Sequence, residues 1–249
     1  VPLTVVASVG IINAINLIDG VNGLSSGFCI LACMMFGTLF YLSGDMKMTL
    51  LAVVSVGALI PFFFHNVFGK TSKMFIGDGG TLVMGIIMSI FVIEILQSGS
   101  LCAAYVGESI GLIPFALAVL CIPVFDTLRV MSTRILKGTS PFHPDKTHLH
   151  HMFIELGASH MATTLAILSL NVSVVLCWWL LAVSGAPINV QLYAVAGMSL
   201  LATFGLYHFM QWHIRRDTKF MGIIRRLGYK THISRTGIFF RLQQFVDKV

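Results

Sequence analysis

The segment NAINLIDGVNGL, residues 13–24, holds an unusual number of polar groups for so apolar a chain. Asn13, Asn16 and Asp19 recur every three residues, so a helix that persists to about residue 20 carries them along one edge. Asn22 follows in the turn, where glycines let a flat base or a sugar approach the backbone. One such residue would most simply bond to a neighbouring helix. Five polar groups or glycines within ten residues instead indicate a binding site.

A second motif, FIGDGGTL, places Asp78 among glycines just ahead of an apolar helix. Gly77 and Gly79 leave backbone amides accessible, so a phosphate could approach the helix N-terminus while the carboxylate holds a cation. Mg²⁺ is commonly held by one or two protein oxygens plus substrate phosphates, which suits a lone Asp with a helper from the first motif. The alternative is an ordinary N-cap, for which Asp is favoured.

A third motif, DKTHLHH, offers three imidazoles and an ammonium group. If Asp145 caps a helix here, His148 and His151 lie on one edge while His150 points elsewhere, so a regular helix cannot direct all three rings at one zinc ion. We therefore expect the imidazoles and Lys146 to lie beside a phosphate. A solvated, pH-sensitive surface patch is the alternative.

A fourth motif, PVFDTLR, carries two opposite charges at the end of an apolar stretch. Asp126 and Arg129 are three residues apart, a spacing that predicts an ion pair within one helix. Contact with a substrate is the second interpretation. The five cysteines lie in or beside apolar stretches without metal-like spacing and are interpreted as small hydrophobic residues.

The elements that must position these motifs are membrane helices. The chain is 56% apolar and only 10% charged, with a mean hydropathy of +0.88, far above that of a soluble domain. We predict an all-α, polytopic transmembrane helical bundle, because unpaired backbone is not tolerated in lipid and no alternating strand pattern is present. About seven stretches approach the length of a membrane span: 3–18, 24–43, 48–66, 80–97, 110–128, 161–184 and 190–210.

Positive charge is concentrated on one side of this predicted bundle. If the helices alternate, the loops near 19–23, 67–78 and 129–160 and the tail after 210 share a face that holds all but one of the Lys and Arg residues. The positive-inside rule makes that face cytoplasmic. The net charge of +6 is therefore attributed to topology and anionic lipid, not to nucleic acid. We expect a membrane domain at 1–210 and a basic cytoplasmic tail at 211–249.

All four motifs fall on this face, in an order that resembles the polyprenyl-phosphate N-acetylhexosamine-1-phosphate transferases. NAINLIDGVNGL is similar to that family's Asn-rich loop, FIGDGGTL to its Gly-Asp loop, and SPFHPDKTHLHH to its His loop. The resemblance covers residues 13 to about 160. It implies transfer of a sugar 1-phosphate, GlcNAc-1-phosphate being expected, from a UDP-sugar to undecaprenyl or another polyprenyl phosphate, with release of UMP.

The resemblance also implies roles for individual residues and a location. The expected cofactor is Mg²⁺, with Mn²⁺ as an alternative, and the location implied is the bacterial plasma membrane, with the site facing the cytoplasm. Matching positions assign Asp78 and Asn16 to the metal and Asp19 and Asn22 to the nucleotide sugar. The remaining assignments from the motifs are the phosphate-binding His148, His150 and His151, and substrate contacts from Asn13, Gly79 and Lys146.

Three departures from the family pattern qualify these expectations. Asn22 stands where Asp is commoner, and Gly79 and Thr81 stand where Thr and Ser are usual. The family's adjacent acidic pair is absent, since no two acidic residues are neighbours in this sequence. We therefore expect an N-terminally truncated enzyme whose missing helices supply that pair, and expect the fragment alone to be inactive.

Two rival functions predict different features. An ion-coupled transporter would use Asn13, Asp19 and Asp126 to pass ions and predicts inverted repeats, but no internal repeat is found. A noncatalytic lipid-binding scaffold is the other alternative. Protection by a uridine nucleotide that depends on Mg²⁺ would separate the enzyme from both. The exact sugar, the glycan pathway and a homo-oligomeric state are left open by the sequence.

Overall fold

A computed structural model describes residues 2–97, 110–141, 147–216, 218–230 and 238–248 of the chain. These residues form α-helices joined by short loops, with no β-strand among them. The helices are α1 (Pro2–Leu17), α2 (Leu24–Leu42), α3 (Met46–Phe68), α4 (Gly77–Gln97), α5 (Leu112–Val119), α6 (Cys121–Leu136), α7 (Leu149–Glu155), α8 (His160–Val183), α9 (Ile188–Leu200), α10 (Leu206–Arg216), α11 (Lys219–Lys230) and α12 (Ile238–Val246). A π-helical segment, Leu201–Gly205, joins α9 to α10.

The seven apolar stretches of the sequence all form helices. Among the described residues, five helices are long and apolar enough to cross a membrane: α2, α3, α4, α8 and the combined Ile188–Arg216. A sixth candidate span is the pair α5 and α6, which is bent by 74° at Leu120, and α1 is a shorter apolar helix. The prediction of an all-α, multi-pass membrane bundle is therefore confirmed. The expected boundary at residue 210 stays a prediction, and the last span continues to Arg216.

Close helix packing at α1 and α4 positions two of the motifs. A Cβ atom at Gly85 of α4 would lie 2.7 Å from the Cα of Ile12, so only glycine permits this approach. The partners α1 and α4 then run side by side, and the end of α1 lies beside the start of α4. Behind them an aromatic cluster fills the core, with Phe36 contacting Phe91 and Phe115 at ring-centroid distances of 5.6 and 5.4 Å.

The helix ends differ from the sequence expectation in two places. Helix α1 ends at Leu17, not at residue 20, and a turn carries the chain through residues 18–23. Helix α7 begins at Leu149, with His148 in extended backbone as its N-cap, so the expected cap at Asp145 is wrong as a description of this helix. Asp145 itself lies outside the described residues, and so does Lys146.

The last helix, α12, returns to the loop that precedes Asp78. The Asp247 carboxylate accepts hydrogen bonds from the backbone amides of Lys70, Thr71 and Ser72 at 2.9–3.2 Å. These bonds, that from Lys70 foremost, lower the pKa of Asp247 to about 2. The carboxylate therefore stays ionised at neutral pH and holds the loop from outside the bundle.

Candidate active site

Residues from three of the sequence motifs line one pocket of about 340 Å³. The end of α1 and its turn form one wall, α6 a second, and the His segment with the loop after α6 a third. The lining residues are Asn13, Asn16, Leu17, Asp19, Gly20, Thr127, Val130, Met131, Arg134, Pro141, His148, His150 and His151.

A buried carboxylate organises the His segment. One oxygen of Asp126, Oδ1, accepts from the Nη2 and Nε atoms of Arg129 at 2.7 and 3.1 Å. The other, Oδ2, lies 2.9 Å from His148 Nδ1 and accepts from the amide of Leu149 at 3.2 Å. The predicted Asp126–Arg129 ion pair is therefore confirmed. In addition, Asp126 caps α7 from a neighbouring helix, which explains why that helix starts where it does.

The three imidazoles lie together, against the expectation that His150 points away. The rings of His148 and His150 stack with centroids 5.8 Å apart, and those of His150 and His151 are 4.2 Å apart. The expectation was wrong because it assumed a regular helix. The backbone of His148 is instead extended, and its ring is hydrogen bonded to Asp126. The Nε2 atoms of His148 and His150 are buried without a hydrogen-bond partner among the described residues. Buried polar atoms without a partner are unusual in folded proteins, so these two nitrogens are candidate binding groups.

Burial sets the protonation state of the middle ring. Desolvation lowers the pKa of His150 to about 3, with smaller contributions from the adjacent rings of His151 and His148. The ring is thus neutral at pH 7, with one nitrogen that donates and one that accepts. Because Asp126 accepts from His148 Nδ1, that ring is held in a fixed orientation, with Nε2 as its remaining nitrogen.

A glycine in the first motif makes room for this ring. A Cβ atom at Gly20 would lie 2.4 Å from His150 Nε2. The sequence suggested that glycines here admit a base or a sugar, but at Gly20 the space is filled by the imidazole of His150. The turn after α1 and the start of α7 are therefore in direct contact across the pocket.

Asp78 and Asn16 are brought together from different helices. The Nδ2 atom of Asn16 donates to Asp78 Oδ1 at 3.1 Å and to Thr81 Oγ1 at 2.8 Å. Asp78 is exposed in the first turn of α4, and the space beside Gly79 is open. Asp78 thus reaches the pocket through Asn16, and neither Asp78 nor Gly79 lines its wall.

The side-chain oxygens of Asp78 and Asn16 suit a magnesium site better than a site built from several His, Cys, Asp or Glu side chains. Within the described part of the chain, no three His, Cys, Asp or Glu side chains are grouped so that they could hold a metal ion. Asp78 and Asn16 supply a hard carboxylate oxygen and an amide oxygen, the sparse set with which Mg²⁺ binds when phosphates and water complete its shell. The residues present therefore fit Mg²⁺ held jointly with a substrate.

The two other residues of the first motif take different positions. Asp19 lines the pocket and accepts a hydrogen bond from Ser25 Oγ at 2.6 Å. Asn22 is held by its backbone, whose amide donates to His160 Nδ1 at 3.3 Å and whose carbonyl accepts from Thr164 at 2.9 Å. Asn22 is not among the residues that line the pocket.

Two residues near the site were missed from the sequence. Arg134, buried in the last turn of α6, donates to the carbonyl of Pro141 at 2.6 Å and adds a positive charge to the pocket wall. Asn66 of α3 accepts from the amide of Gly23 and donates to the carbonyl of Met74 at 2.7 Å, so it joins the loops that follow α1 and precede α4. Both are polar residues at the ends of apolar helices, on the same face as the motifs. This position could have identified them from the sequence.

An apolar groove adjoins the polar pocket. It has a volume of about 510 Å³ and runs between α1, α4, α5 and α6. Asn13, Thr127 and Met131 belong to both the groove and the pocket, so the two are continuous. An amphipathic molecule with a phosphate head and an aliphatic tail matches this combination of surfaces.

Comparison with known proteins identifies relatives of this sequence. Residues 1–96 match the family model described as glycosyl transferase family 4. A Bacillus subtilis protein named "Probable undecaprenyl-phosphate N-acetylglucosaminyl 1-phosphate transferase" is 34% identical over 166 residues, which is 67% of this chain and 44% of the relative. The "Decaprenyl-phosphate N-acetylglucosaminephosphotransferase" of Mycolicibacterium smegmatis is 34% identical over 178 residues, 66% of this chain and 43% of the relative.

A third relative extends this agreement. The "Undecaprenyl-phosphate alpha-N-acetylglucosaminyl 1-phosphate transferase" of Yersinia pestis is 33% identical over 152 residues, 59% of this chain and 38% of the relative. The chain thus spans less than half the length of these relatives. No solved structure matches it significantly. The matched segment holds the Asn-rich turn and Asp78, and with these three relatives it shows that the chain belongs to glycosyl transferase family 4.

Proposed function

We propose that this chain carries the catalytic site of a phospho-sugar transferase, which moves a sugar 1-phosphate from a UDP-sugar to a polyprenyl phosphate. GlcNAc-1-phosphate is the proposed group, because the names of the relatives specify N-acetylglucosamine. The observation that carries the proposal is the hydrogen bond from Asn16 to Asp78, which joins two family motifs beside a pocket lined by imidazoles.

The reaction exchanges one phosphoanhydride bond for another. An oxygen of the polyprenyl phosphate forms a bond to the phosphorus that bears the sugar, and the bond from that phosphorus to the UMP oxygen breaks. UMP leaves and the lipid retains a pyrophosphate-linked sugar. Because two anionic phosphates must meet, catalysis is mainly positioning and neutralisation of charge.

The pocket supplies groups for both tasks. The rings of His148, His150 and His151 and the Arg134 side chain line it, and the Nε2 atoms of His148 and His150 are buried without a partner among the described residues. Asp126 accepts from His148 Nδ1 and so keeps the ring oriented, and Nε2 can donate to a phosphate oxygen when the ring carries a second proton. Asp19 is proposed to contact the nucleotide sugar.

Four further residues are proposed to contact the substrates. Asn13, where groove and pocket meet, is proposed to contact the substrate head group. For Asn22 and Gly79, substrate contact stays a proposal, and for Lys146, which lies outside the described residues, it rests on the sequence motif alone.

Asp78 and Asn16 are proposed to hold Mg²⁺, for which Mn²⁺ is the alternative. When bound, a divalent cation neutralises phosphate charge and so assists departure of UMP. The hydrogen bond from Asn16 also fixes the rotamer of the Asp78 carboxylate, with Thr81 holding the amide from its other side. Preorganisation of this kind favours recruitment of a cation already associated with the diphosphate.

The apolar groove is proposed to hold the polyprenyl tail. It opens among the helices α1, α4, α5 and α6 and continues into the polar pocket. The tail can then stay in the membrane while its phosphate reaches the His cluster. We place the site at the cytoplasmic face of a bacterial plasma membrane, because nearly all basic residues lie on that side of the helices.

The test is release of UMP from UDP-GlcNAc and undecaprenyl phosphate by membranes that contain the full-length protein, because we expect the present chain alone to be inactive. We expect Asp78→Asn to lower the rate by at least about a hundredfold, since the substitution removes the negative charge that holds the cation. Protection of the protein from proteolysis by uridine nucleotide should depend on Mg²⁺ in the unmodified protein and be lost in the variant.

A matched control is available on the opposite face. Asp45 caps α3 by accepting from the amide of Met48, and Asn caps helices equally well. Asp45→Asn should therefore leave the rate unchanged. A wild-type rate in Asp78→Asn membranes would overturn the metal assignment.

A further inference from the structure

A second pocket lies at the end of α6 and shares no lining residue with the active-site pocket. It has a volume of about 540 Å³ and is formed by the end of α6 and the last turns of α10. The residues that matter here are Lys137, Tyr207, Gln211, Trp212, Arg215 and Arg216. None of them lines the active-site pocket. We refer to these six residues as the basic-aromatic pocket.

The charge of this pocket favours an anion. Lys137, Arg215 and Arg216 contribute three cations from two helices. Among the described residues, no carboxylate lies within ion-pair distance of any of the three. The Arg216 guanidinium lies over the Trp212 ring, 4.7 Å from its centroid, which restrains its position at the pocket edge. A phosphate group would satisfy these donors.

The depth of the pocket favours a lipid phosphate. Arg215 and Arg216 end the apolar span Ile188–Arg216, so they lie where that helix leaves the membrane. Trp212 is 47% exposed one turn earlier, and Trp is enriched at the level of the lipid head groups. We propose that the basic-aromatic pocket binds the phosphate head group of an anionic phospholipid of the surrounding bilayer.

The floor of this pocket touches the groups that orient the His cluster. The ring of Tyr207 lies against Arg129, with 4.0 Å from its centroid to the guanidinium carbon, and Gln211 donates to the Tyr207 hydroxyl at 3.3 Å. Arg129 in turn holds Asp126. A head group that restrains Tyr207 therefore supports the orientation of His148. Only this coupling rests on the proposed function; lipid binding stands without it.

Binding is tested with the protein in nanodiscs of phosphatidylcholine, with and without about one third phosphatidylglycerol. Native mass spectrometry counts retained phosphatidylglycerol, and thermal unfolding reports stabilisation. The double variant Arg215→Gln, Arg216→Gln should bind the lipid on the order of thirtyfold more weakly, about 2 kcal/mol for two surface cations. The charge-conserving pair Arg215→Lys, Arg216→Lys should retain most of the binding.

A control pair removes the same charge elsewhere on the basic side. Lys219 and Arg226 lie in α11 outside the pocket, and Lys219→Gln, Arg226→Gln should bind phosphatidylglycerol like the unmodified protein. An equal loss in this control would overturn the proposal in favour of general attraction to the membrane. Stabilisation by inorganic phosphate alone would overturn the lipid assignment, as would displacement of phosphatidylglycerol by undecaprenyl phosphate.

The coupling is tested separately by the rate of UMP release. The coupling predicts that phosphatidylglycerol increases this rate. Tyr207→Leu should keep the phosphatidylglycerol that the three cations hold but lose the rate increase, because the contact with Arg129 is gone. If no UMP is released by any form, the proposed function fails while lipid retention still decides the binding proposal. If Tyr207→Leu responds to the lipid like the unmodified protein, the coupling is wrong.

Discussion

At the scale of single residues, the site depends on one buried carboxylate. The Asp126 carboxylate accepts hydrogen bonds from Nε and Nη2 of Arg129, from the His148 ring and from the amide of Leu149. Each oxygen has its partners, which offsets the desolvation that an isolated buried charge would suffer. The carboxylate therefore determines both where α7 begins and how the His148 ring is oriented.

The contact between Gly20 and His150 predicts a sharp effect of a single methyl group. In Gly20→Ala the new Cβ would overlap His150 Nε2, so the imidazole must leave its position. A displacement of about 1 Å at a reacting group costs on the order of a hundredfold in rate. We expect UMP release to fall by about that factor, with unfolding temperature changed by only a few degrees.

Gly197 of α9 provides the comparison for this substitution. A Cβ atom there would meet nothing within 4 Å, and Gly197 lines neither the pocket nor the groove, so Gly197→Ala should keep the full rate. Equal rates in the Gly20→Ala and Gly197→Ala variants would show that the position of His150 does not matter for the reaction.

The low pKa of His150 predicts that acid destabilises the fold. Between pH 6.5 and about 3 the unfolded chain binds a proton at this residue while the folded chain does not, so stability falls as pH falls. From pH 6.5 to 5.5 the loss in free energy of unfolding should be about 1 kcal/mol. Thermal unfolding over this pH range measures it, and His150→Gln should reduce the dependence.

His208 offers a matched substitution for the pH experiment. It lies near the end of the last span and outside the His cluster, so His208→Gln should keep the pH dependence of the unmodified protein. An unchanged slope in His150→Gln would show that another group governs the acid sensitivity.

At the scale of elements, the contact between α1 and α4 creates the proposed metal position. Asn16 is one residue from the end of α1 and Asp78 is in the first turn of α4, so their hydrogen bond requires these helices to pack closely. The absence of a side chain at Gly85 allows that packing. Hydrogen bonds from Asn66 to the carbonyl of Met74 and from the amide of Thr71 to Asp247 then hold the segment before α4 in place.

Enlarging Gly85 should separate the two helices. The nearest atom to its Cβ position is the Cα of Ile12, which belongs to the backbone and cannot rotate aside. We expect Gly85→Val to lower stability by about 1 to 3 kcal/mol, and to lower UMP release more than this loss of folded protein explains. Thermal unfolding and rate measurements on the same preparation separate the two effects.

The corresponding change in α3 tests whether a valine in a span is harmful in itself. Gly57 has open space at its Cβ position, so Gly57→Val should leave both quantities near their original values. If the Gly85→Val and Gly57→Val variants behave alike, the close approach of α1 and α4 is not what positions Asp78.

At the scale of the whole molecule, the chain is a multi-pass bundle with its polar sites at one end. The active-site pocket and the basic-aromatic pocket both lie at α6 and the helix ends that carry positive charge. A soluble nucleotide sugar and a membrane-anchored phosphate can both reach this level. The opposite ends of the helices, near Asp45 and Gly185, carry little charge.

This arrangement predicts the labelling of introduced cysteines in intact cells. Lys47→Cys lies in an exposed position on the end opposite the site and should react with a membrane-impermeant thiol reagent from outside. Lys73→Cys, exposed on the motif face, should react only after the cells are opened. The reverse pattern would place the proposed site outside the cell and exclude a cytoplasmic nucleotide sugar as its substrate.

The sequence by itself determined the class of fold, and it predicted which motifs share one membrane face. Apolar runs of about twenty residues predict membrane helices, because only helices satisfy their own backbone in lipid. Likewise, the Asp126–Arg129 ion pair follows from a spacing of three residues. Such local features depend on neighbouring residues alone. Since successive membrane helices alternate in direction, motifs at alternate helix ends must share a membrane face.

Only the tertiary structure decided how the polar groups meet. Asn16 and Asp78 are 62 residues apart, and Asn22 and His160 are 138 apart, so their contacts depend on helix packing and not on local pattern. The regular helix expected through His150 was overridden by one hydrogen-bond acceptor on another helix, Asp126. The space beside Gly20 is likewise filled by a residue that no local rule connects with it.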